Sequence, residues 1–397
     1  MSSEKLFVLK SPKKHFWLSC QVIEDHFLKA FEKSDLPVEE LLIDQKLNPG
    51  QLEAFQKLNG RIHLFFLSDI LNYQDICQQL KDLQLTNIIY YIPVYGNMTM
   101  EVYRWLGLDE LLRDREVYLL GASPRSCQQI KRFTNEASIE YVPYCFEEGL
   151  IPKTPHPTID LVYAGRITPQ KNVLELLLTF REAHAFNPDL RLHIAGEFHD
   201  RMYHLHGYKV EIEKFKEAVK AALSSPGVIY HGQLGQSQLL ELYSNCDYFV
   251  SMSTYHDEDF GMSACQAASQ GLKLILSDWG GHGAFKKNAH MVSVTVDIYN
   301  IPKISRGELK KILATIKKPE KDESRQFQER FSYESFILHM KNLMQKKPLK
   351  FGGMSDLYKH YAALATKTFP FANTERQQES HDFYLSIYDS YLHDNEP

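Results

Sequence analysis

Two short segments of this 397-residue chain place charged side chains where strands give way to helices. The first, GRITPQKN at 165–172, carries Arg166 and Lys171. The second, EDFGMSACQA at 258–267, places Glu258 just before another helix start. A guanidinium binds phosphate oxygens bidentately, an ammonium adds a point charge, and a helix N-terminus presents N–H groups and a positive dipole end. Together these groups predict a site for a nucleotide diphosphate, which implies group transfer from an activated donor.

Each of these residues also has an ordinary explanation when it is taken alone. Arg and Lys near helix starts are common on solvated surfaces, and the two aspartates beside Glu258 suit the dipole of the helix that follows. Glu258 itself stands three residues before Gly261, where the backbone can approach a ligand closely, and it could accept hydrogen bonds from sugar hydroxyls. Gln266 falls in the second turn of that helix on the side of Met262, from which it could reach a ribose.

The elements that position these segments follow a regular alternation of strand-length apolar runs and helical patterns. The sequence predicts strands at 6–10, 41–44, 62–67, 88–94, 117–120 and 141–145, and again at 161–164, 192–195, 228–230, 248–251, 274–276 and 292–296. Three prolines within 152–157 predict an interdomain linker, since they disfavour both helix and central strand. We therefore predict two Rossmann-like, doubly wound α/β domains, 1–150 and 151–345, facing a central cleft with ligands at the carboxyl ends of the strands.

The pattern changes near the C-terminus. A charged stretch at 317–323 precedes a predicted long helix at 324–344, and residues 346–397 form a predicted helical tail that packs back on the N-terminal domain. Tyr384, Tyr388 and Tyr391 fall on one helical face of this tail. We favour a packed terminal helix over a role in docking a membrane or a partner.

Composition restricts the class of protein. A hydrophobic fraction of 44%, a charged fraction of 24% and the lack of a long apolar run are typical of a soluble globular protein. No signal peptide is visible, and the six cysteines contain no Cys-x-x-Cys pair, so we expect reduced thiols and a cytoplasmic protein. The net charge of −5 argues against nucleic acid as the main partner. Lys131 and Arg132 leave open a peripheral contact with the inner face of a membrane, although a solvated helix face explains them equally well.

The two motifs, their spacing and their flanks resemble the retaining, nucleotide-sugar-dependent glycosyltransferases of family 4 (glycosyl transferases group 1), which have the GT-B fold. Arg166 and Lys171 match the diphosphate-binding pair of that family, and Glu258 matches the first acid of its Glu-(seven residues)-Glu signature. The resemblance includes LHIAG at 192–196, YHGQ at 230–233 and DWGG at 278–281, and it is loose over residues 1–150.

The resemblance implies a metal-independent transfer of a sugar, with retention, from a UDP- or GDP-sugar to a hydroxyl acceptor held by the N-terminal domain. The acceptor would be a glycan, a lipid-linked glycan or a small molecule, and no cofactor is implied. Arg166, Lys171 and Glu258 would be catalytic. The donor-binding residues would be Gly165, Gly196, Gly232, Gln233, Phe260, Gly261, Met262 and Gln266.

Three departures from the family pattern keep a second hypothesis open. Gln266 replaces the second acid of the signature, which would weaken a ribose contact by roughly 1 kcal/mol. A lysine-rich segment at 10–15 stands where relatives carry a glycine pair, and 93–97 lacks the family's cleft-facing histidine. A non-catalytic GT-B subunit that binds a glycan or stabilises a partner transferase is therefore the alternative.

The histidines at 193, 199, 204 and 206 invite a metal site, but their spacing matches no closed zinc set. We predict a polar loop over the cleft instead, and no metal.

Overall fold

The computed structural model describes residues 5–12, 18–44, 46–58, 60–147, 149–153, 155–199, 212–319, 324–365 and 378–393. Within this part the chain divides into two units. Unit 1 contains the residues up to Glu147 together with Arg330–Ala363, and unit 2 contains the remainder.

Unit 1 is built on a parallel sheet that is covered by helices on both faces. Its strands are β1 Lys5–Lys10, β2 Val38–Leu42, β3 Ile62–Phe66, β4 Ile88–Pro93, β5 Glu116–Gly121 and β6 Ser138–Tyr141, in the order β2-β1-β3-β4-β5-β6. Its first helices are α1 Leu18–Glu32, α2 Pro49–Lys57, α3 Gln74–Asp82, α4 Val102–Leu112 and α5 Pro124–Phe133. Every residue of β3 and β4 is buried, which is the reason these strands read as unbroken apolar runs.

Local chemistry sets the ends of several elements in unit 1. Asn48 and Ser123 each form a capping box at the start of a helix that has proline in its first turn, which sets the start of α2 at Pro49 and of α5 at Pro124. The strand predicted at 141–145 ends instead at Tyr141. Val142 still donates to the carbonyl of Gly121, but Pro143 has no N–H with which to continue the ladder.

Unit 2 repeats the architecture with a different strand order. Its strands are β7 Ile159–Ala164, β8 Leu190–Ala195, β9 Val228–Gly232, β10 Tyr248–Ser251, β11 Lys273–Ser277 and β12 Ala289–Val292, in the order β12-β11-β10-β7-β8-β9. A small antiparallel pair follows, β13 Val294–Val296 and β14 Pro302–Ile304, where the sequence predicted one strand at 292–296. The helices are α6 Val173–His184, α7 Ile212–Leu223, α8 Gln236–Ser244, α9 Met262–Ser269, α10 Arg306–Thr315 and α11 Ser324–Arg330.

The C-terminal residues form shorter helices than the sequence predicted. The long helix predicted at 324–344 is broken into α11 and α12 Tyr333–Met344, because the side chain of Ser332 accepts from Ser335 N and caps a new helix. The helix α12 packs on α1 of unit 1, where Phe336 stacks on Phe27 with ring centroids 4.6 Å apart.

The predicted tail at 346–397 is itself divided between the units. Helix α13, Asp356–Ala365, packs mainly in unit 1, where Tyr358 and Tyr361 donate to the carbonyls of Met98 and Thr99. Helix α14, Gln378–Leu392, belongs to unit 2. Its buried tyrosines confirm the packed terminal helix, whereas the packing of the whole tail on the N-terminal domain stays a prediction.

Candidate active site

The strand order of unit 2 places the two sequence motifs side by side. The chain proceeds outward from β7 in one direction through β8 and β9, and in the other through β10, β11 and β12, so the order reverses between the neighbours β7 and β10. Ligands of open α/β sheets bind outside the carboxyl ends of the strands at such a reversal. Arg166 and Lys171 follow β7, and Glu258 follows β10, so topology alone brings the cations and the acid to one place.

Asn172 fastens the cationic turn to the segment after β10. Its backbone is left-handed, with φ of 51°, and its side-chain amide donates to Met252 O at 2.8 Å and to Thr254 Oγ1 at 2.9 Å. Asn172 stands at the N-cap of α6, but its side chain makes no capping bond to that helix. Because the amide donates to the segment after β10, it holds the loop after β7 against the loop after β10 instead of capping α6.

Lys171 and Glu258 form a largely buried ion pair at the junction. The ammonium lies 2.7 Å from Glu258 Oε2 and 3.1 Å from Ser253 Oγ, and the lysine and glutamate side chains are 17% and 11% exposed. Ser253 Oγ also donates to Glu258 Oε2 at 2.5 Å. Buried charges are tolerated only when they are paired and hydrogen-bonded, and this triad meets that condition.

The electrostatics of the pair favour its charged form. Burial would raise the pKa of Glu258, but the Lys171 ammonium, the charge of His282 and the hydrogen bonds from Lys171 and Ser253 lower it to about 2. Burial lowers the pKa of Lys171, and Glu258 opposes that shift. Glu258 is therefore an ionised acceptor at neutral pH.

Tyr255 brings the second cation into the same group. The Arg166 guanidinium carbon lies 5.7 Å from the centroid of the Tyr255 ring, and the Lys171 ammonium lies 5.3 Å from that centroid. Both cations thus lie within cation–π range of one aromatic face. Sequence reasoning missed Tyr255, although its position between the end of β10 and Glu258 was a usable signal.

Three of the predicted donor-binding glycines shape the ends of β7, β8 and β9. A Cβ on Gly196, where φ is +147°, would lie 1.9 Å from the carbonyl oxygen of Gly165, so these two backbones pack directly on each other. Gly232 has φ of +66° and open space around its Cβ position, and its carbonyl accepts from Gly196 N at 2.8 Å. Gln233, the next residue, is exposed.

The start of α9 carries the other predicted donor contacts. Gly261 has φ of +98°, and a Cβ there would lie 2.9 Å from His282 Cδ2. The N-cap residue Gly261 has no side chain with which to cap α9, and a helix start of this kind is typical of an anion site. The Phe260 ring is fully buried against Phe285, so that residue offers only its backbone to a ligand. Met262 is half-buried and Gln266 is 8% exposed.

The predicted histidine cluster is only partly described. His193 lies on β8 and is engaged with Asp160 at 2.8 Å and with His231 at 2.9 Å, while 204 and 206 lie outside the described residues. Among the described residues, one group has the spacing to hold a metal ion, His156 with Asp160 and Asp247. Asp160 lies at the start of β7, whereas Arg166 follows its end, so this group is at the opposite edge of the sheet from the ion pair.

Unit 1 has its own reversal point, between β1 and β3. Here Asp69, Asn97 and Trp105 are joined by hydrogen bonds of 2.6 Å (Asn97 Nδ2 to Asp69) and 3.0 Å (Trp105 Nε1 to Asn97). Tyr95 donates to Leu67 O at 2.5 Å. Tyr95 and Asn97, which stand where the family's histidine is lacking, are therefore both hydrogen-bonded within the unit. The lysine-rich segment is largely outside the described residues.

Part of the chain is similar in sequence to known glycosyltransferases. Residues 151–347, just under half of the chain, match the model of the family described as glycosyl transferases group 1. A curated relative, an uncharacterised glycosyltransferase YqgM from Bacillus subtilis, is 27% identical over 135 residues. That alignment covers 34% of this chain and 34% of the relative's length.

Solved structures show the fold at low sequence identity. Sucrose-phosphate synthase from Thermosynechococcus elongatus matches 86% of this chain and 98% of its own with a TM-score of 0.58 at 15% identity. Trehalose-6-phosphate synthase OtsA matches 87% and 100% with a TM-score of 0.55 at 11% identity. A third structure, described as trehalose-6-phosphate from E. coli bound with UDP-2-fluoro glucose, is also similar. The match covers 87% of this chain and 100% of that one, with a TM-score of 0.53 at 11% identity.

These findings confirm the predicted fold class, two parallel six-stranded α/β units with GT-B glycosyltransferases as structural neighbours. The family match and the curated relative show a likeness to the group 1 glycosyltransferases over just under half of the chain. None of the helices in the described part of the chain is both long and apolar enough to cross a membrane.

Proposed function

We propose that this protein transfers a sugar from a nucleotide-diphosphate sugar to a hydroxyl acceptor, with retention of anomeric configuration and without a metal ion. The observation that carries the proposal is the group of Arg166, Lys171 and Glu258 at the reversal point of the sheet, joined by Ser253 and Tyr255. The structural neighbour that is bound with UDP-2-fluoro glucose supports a UDP-sugar as the first donor to test, with a GDP-sugar as the second donor.

In the proposed reaction the bond between the anomeric carbon and the β-phosphate oxygen breaks, and its electron pair moves onto the diphosphate. Arg166 and Lys171 stabilise that growing charge, as a divalent metal does elsewhere. The hydrogen bonds that Lys171 and Ser253 donate reach Oε2 of Glu258, so we expect Oε1 to accept from hydroxyls of the sugar. The acceptor oxygen attacks from the face of the leaving group, and its proton passes to a phosphate oxygen.

Charge-removal variants test the site. We expect Lys171→Met and Glu258→Gln each to lower kcat by about 100-fold or more, the usual cost of losing an electrostatic group at a reacting centre. Lys171→Met alone leaves Glu258 buried without its partner, so the double variant, which removes both charges, is the control for folding. The exposed Lys311→Ala on α10 is the matched control and should transfer sugar at the rate of the unchanged protein. Unchanged turnover in Lys171→Met would remove that residue from the scheme.

Two further measurements address retention and metal independence. The anomeric proton of the first-formed product, followed by NMR, should show the configuration of the donor. Turnover should persist in excess EDTA, because the cationic side chains take the place of a metal.

The non-catalytic subunit remains the second candidate, and the observation in its favour is Gln266 in place of an acid. Thermal shift with UDP and GDP, run beside a panel of sugar donors and acceptors, separates the two. Nucleotide binding without turnover on any donor would favour the subunit, and release of nucleotide with product formation favours the transferase.

A further inference from the structure

Helix α14 presents three tyrosines to the interior of unit 2. Tyr384, Tyr388 and Tyr391 are at most 1% exposed, and their spacing of four and three residues places them on one helical face. Three buried aromatic side chains remove a large apolar surface from water for a single terminal helix. What they contact therefore indicates what the helix stabilises.

The tyrosines pack on Trp279 and on His256, which belongs to the loop at 255–261 that contains Glu258. Trp279 stacks on Tyr388 with ring centroids 5.7 Å apart and meets Tyr391 edge-on at 5.5 Å. His256 contacts Tyr388 edge-on at 5.1 Å, and its Nε2 lies 3.2 Å from the hydroxyl of Tyr384. His256 stands two residues before Glu258, and Trp279 begins the turn that packs against it.

Gly280 is the point at which the helix reaches the acid itself. A Cβ built on Gly280 would lie 2.4 Å from the carbonyl oxygen of Glu258 on one side and 2.8 Å from the ring of Tyr391 on the other. The Glu258 carbonyl also accepts from Gly281 N at 2.6 Å. The backbone of Glu258 is thus separated from Tyr391 by one residue that has no side chain.

A second chain of contacts connects the helix to the cations. The indole N–H of Trp279 donates to Tyr255 O at 2.7 Å, and Tyr255 is the ring over which Arg166 and Lys171 lie. Burial raises the pKa of Tyr391 well above its ordinary value, and the nearby acids add to that shift, so this side chain acts as a neutral packing group.

From these contacts we propose that α14 is a positioning element for the donor site, with Tyr391 as its main positioning residue. By packing on Gly280 and Trp279, the helix fixes the loop at 255–261 so that Glu258 stays within bonding distance of Lys171. The inference rests on the proposed sugar transfer, since it assigns these residues to the same site. It predicts that the last helix of the chain controls catalysis without touching the substrate.

Two substitutions at one position in the full chain test the proposal. Tyr391→Ala removes the ring over Gly280, and Tyr391→Phe keeps it, so only the alanine variant should release the loop. The exposed aromatic Phe186, which is 73% exposed on unit 2, gives the matched control Phe186→Ala. Amide hydrogen exchange of residues 253–262, followed by mass spectrometry without substrate, measures the loop directly. Exchange in β7 and β8 of the same sample reports whether the unit remains folded.

We expect Tyr391→Ala to raise exchange in 253–262 at least tenfold, with β7 and β8 unchanged, and to lower kcat by about 10- to 100-fold, because a displacement of about 1 Å at a reacting group costs on the order of 100-fold. The KM for the acceptor should stay within threefold. Tyr391→Phe should keep both the exchange rate and kcat at the values of the unchanged protein, and Phe186→Ala should change neither.

Two results would overturn the inference. Unchanged exchange in 253–262 of Tyr391→Ala shows that the helix does not hold the loop, whether or not the protein transfers sugar. Raised exchange with an unchanged kcat shows that the loop is held but that its position does not matter for transfer. Failure of the proposed function gives a different pattern, since the unchanged protein then yields no product with any donor while the exchange measurement still decides whether α14 holds the loop.

Discussion

Glu24 of unit 1 gives a prediction whose size follows from its surroundings. The residue lies on α1 with 7% of its surface exposed, and among the described residues its Oε1 has no hydrogen-bond partner. Burial raises its pKa from 4.5 to about 7, and the hydrogen bond to Ser68 reduces that shift only in part. The folded state therefore favours the protonated carboxyl.

The sign of the effect on stability follows from this shift. A folded-state pKa above the unfolded value means that the contribution is fully present below pH 4.5 and is lost as pH rises through about 7. The shift from 4.5 to about 7 corresponds to about 3 kcal/mol at 1.36 kcal/mol per unit. Glu24→Gln removes the titration but keeps the shape and one carbonyl acceptor for Ser68. We expect the variant to match the unchanged protein at pH 4.5 and to be more stable by up to about 3 kcal/mol at pH 8.

Calorimetric unfolding from pH 4.5 to pH 8 is the appropriate assay. For a unit of this size 1 kcal/mol moves Tm by about 2–4 °C, so the transition of unit 1 should rise by about 6–12 °C at pH 8. Glu40→Gln, at an exposed glutamate on β2, makes the same chemical change at the surface and is the control. A Tm difference between Glu24→Gln and the unchanged protein that is the same at pH 4.5 and pH 8 would refute the reasoning, since no proton would then be linked to folding.

Two further predictions concern the donor site. In Gly281→Ala the new Cβ would lie 2.1 Å from Phe260 N and 2.2 Å from Asp259 C, both backbone atoms, so we expect a drop in stability of unit 2 above about 2 kcal/mol by urea unfolding and loss of transfer. Gly307→Ala, a helical site with open space, should instead stabilise by up to about 1 kcal/mol, and equal effects of the two would contradict the packing argument. Gln266→Glu should tighten nucleotide binding about fivefold by calorimetry, since a charged acceptor gains about 1 kcal/mol on a ribose hydroxyl, and unchanged affinity would place Gln266 away from the ribose.

Much of the fold could be read from the sequence because parallel strands buried on both faces leave continuous apolar runs. Each predicted strand overlaps a strand of the structure, and two of the differences occur where a single residue changes the hydrogen bonding. Pro143 ends β6 early, and Ser332 begins a helix where a long uninterrupted one was expected. Such events depend on one N–H or one hydroxyl, which a periodic pattern does not register.

The residues of the candidate site could be predicted from the sequence, but the contacts between them could not. Arg166, Lys171 and Glu258 stand next to strand ends in the sequence, and the direction of parallel strands then requires that they share one edge of the sheet. The Lys171–Glu258 pair and the use of Asn172 across the sheet were not predicted, because both depend on β7 and β10 being neighbours. That adjacency follows from the strand order, which local sequence does not encode.

The same reasoning explains why the role of the last helix was missed. The spacing of Tyr384, Tyr388 and Tyr391 was enough to predict a buried face, but a helical face has no information about its partner. The partner is identified by Gly280, whose missing side chain leaves room for the Tyr391 ring on one side and the Glu258 carbonyl on the other. Gly280 lies close to both the Tyr391 ring and the Glu258 carbonyl. We therefore expect a substitution at any one of these three residues to displace the other two.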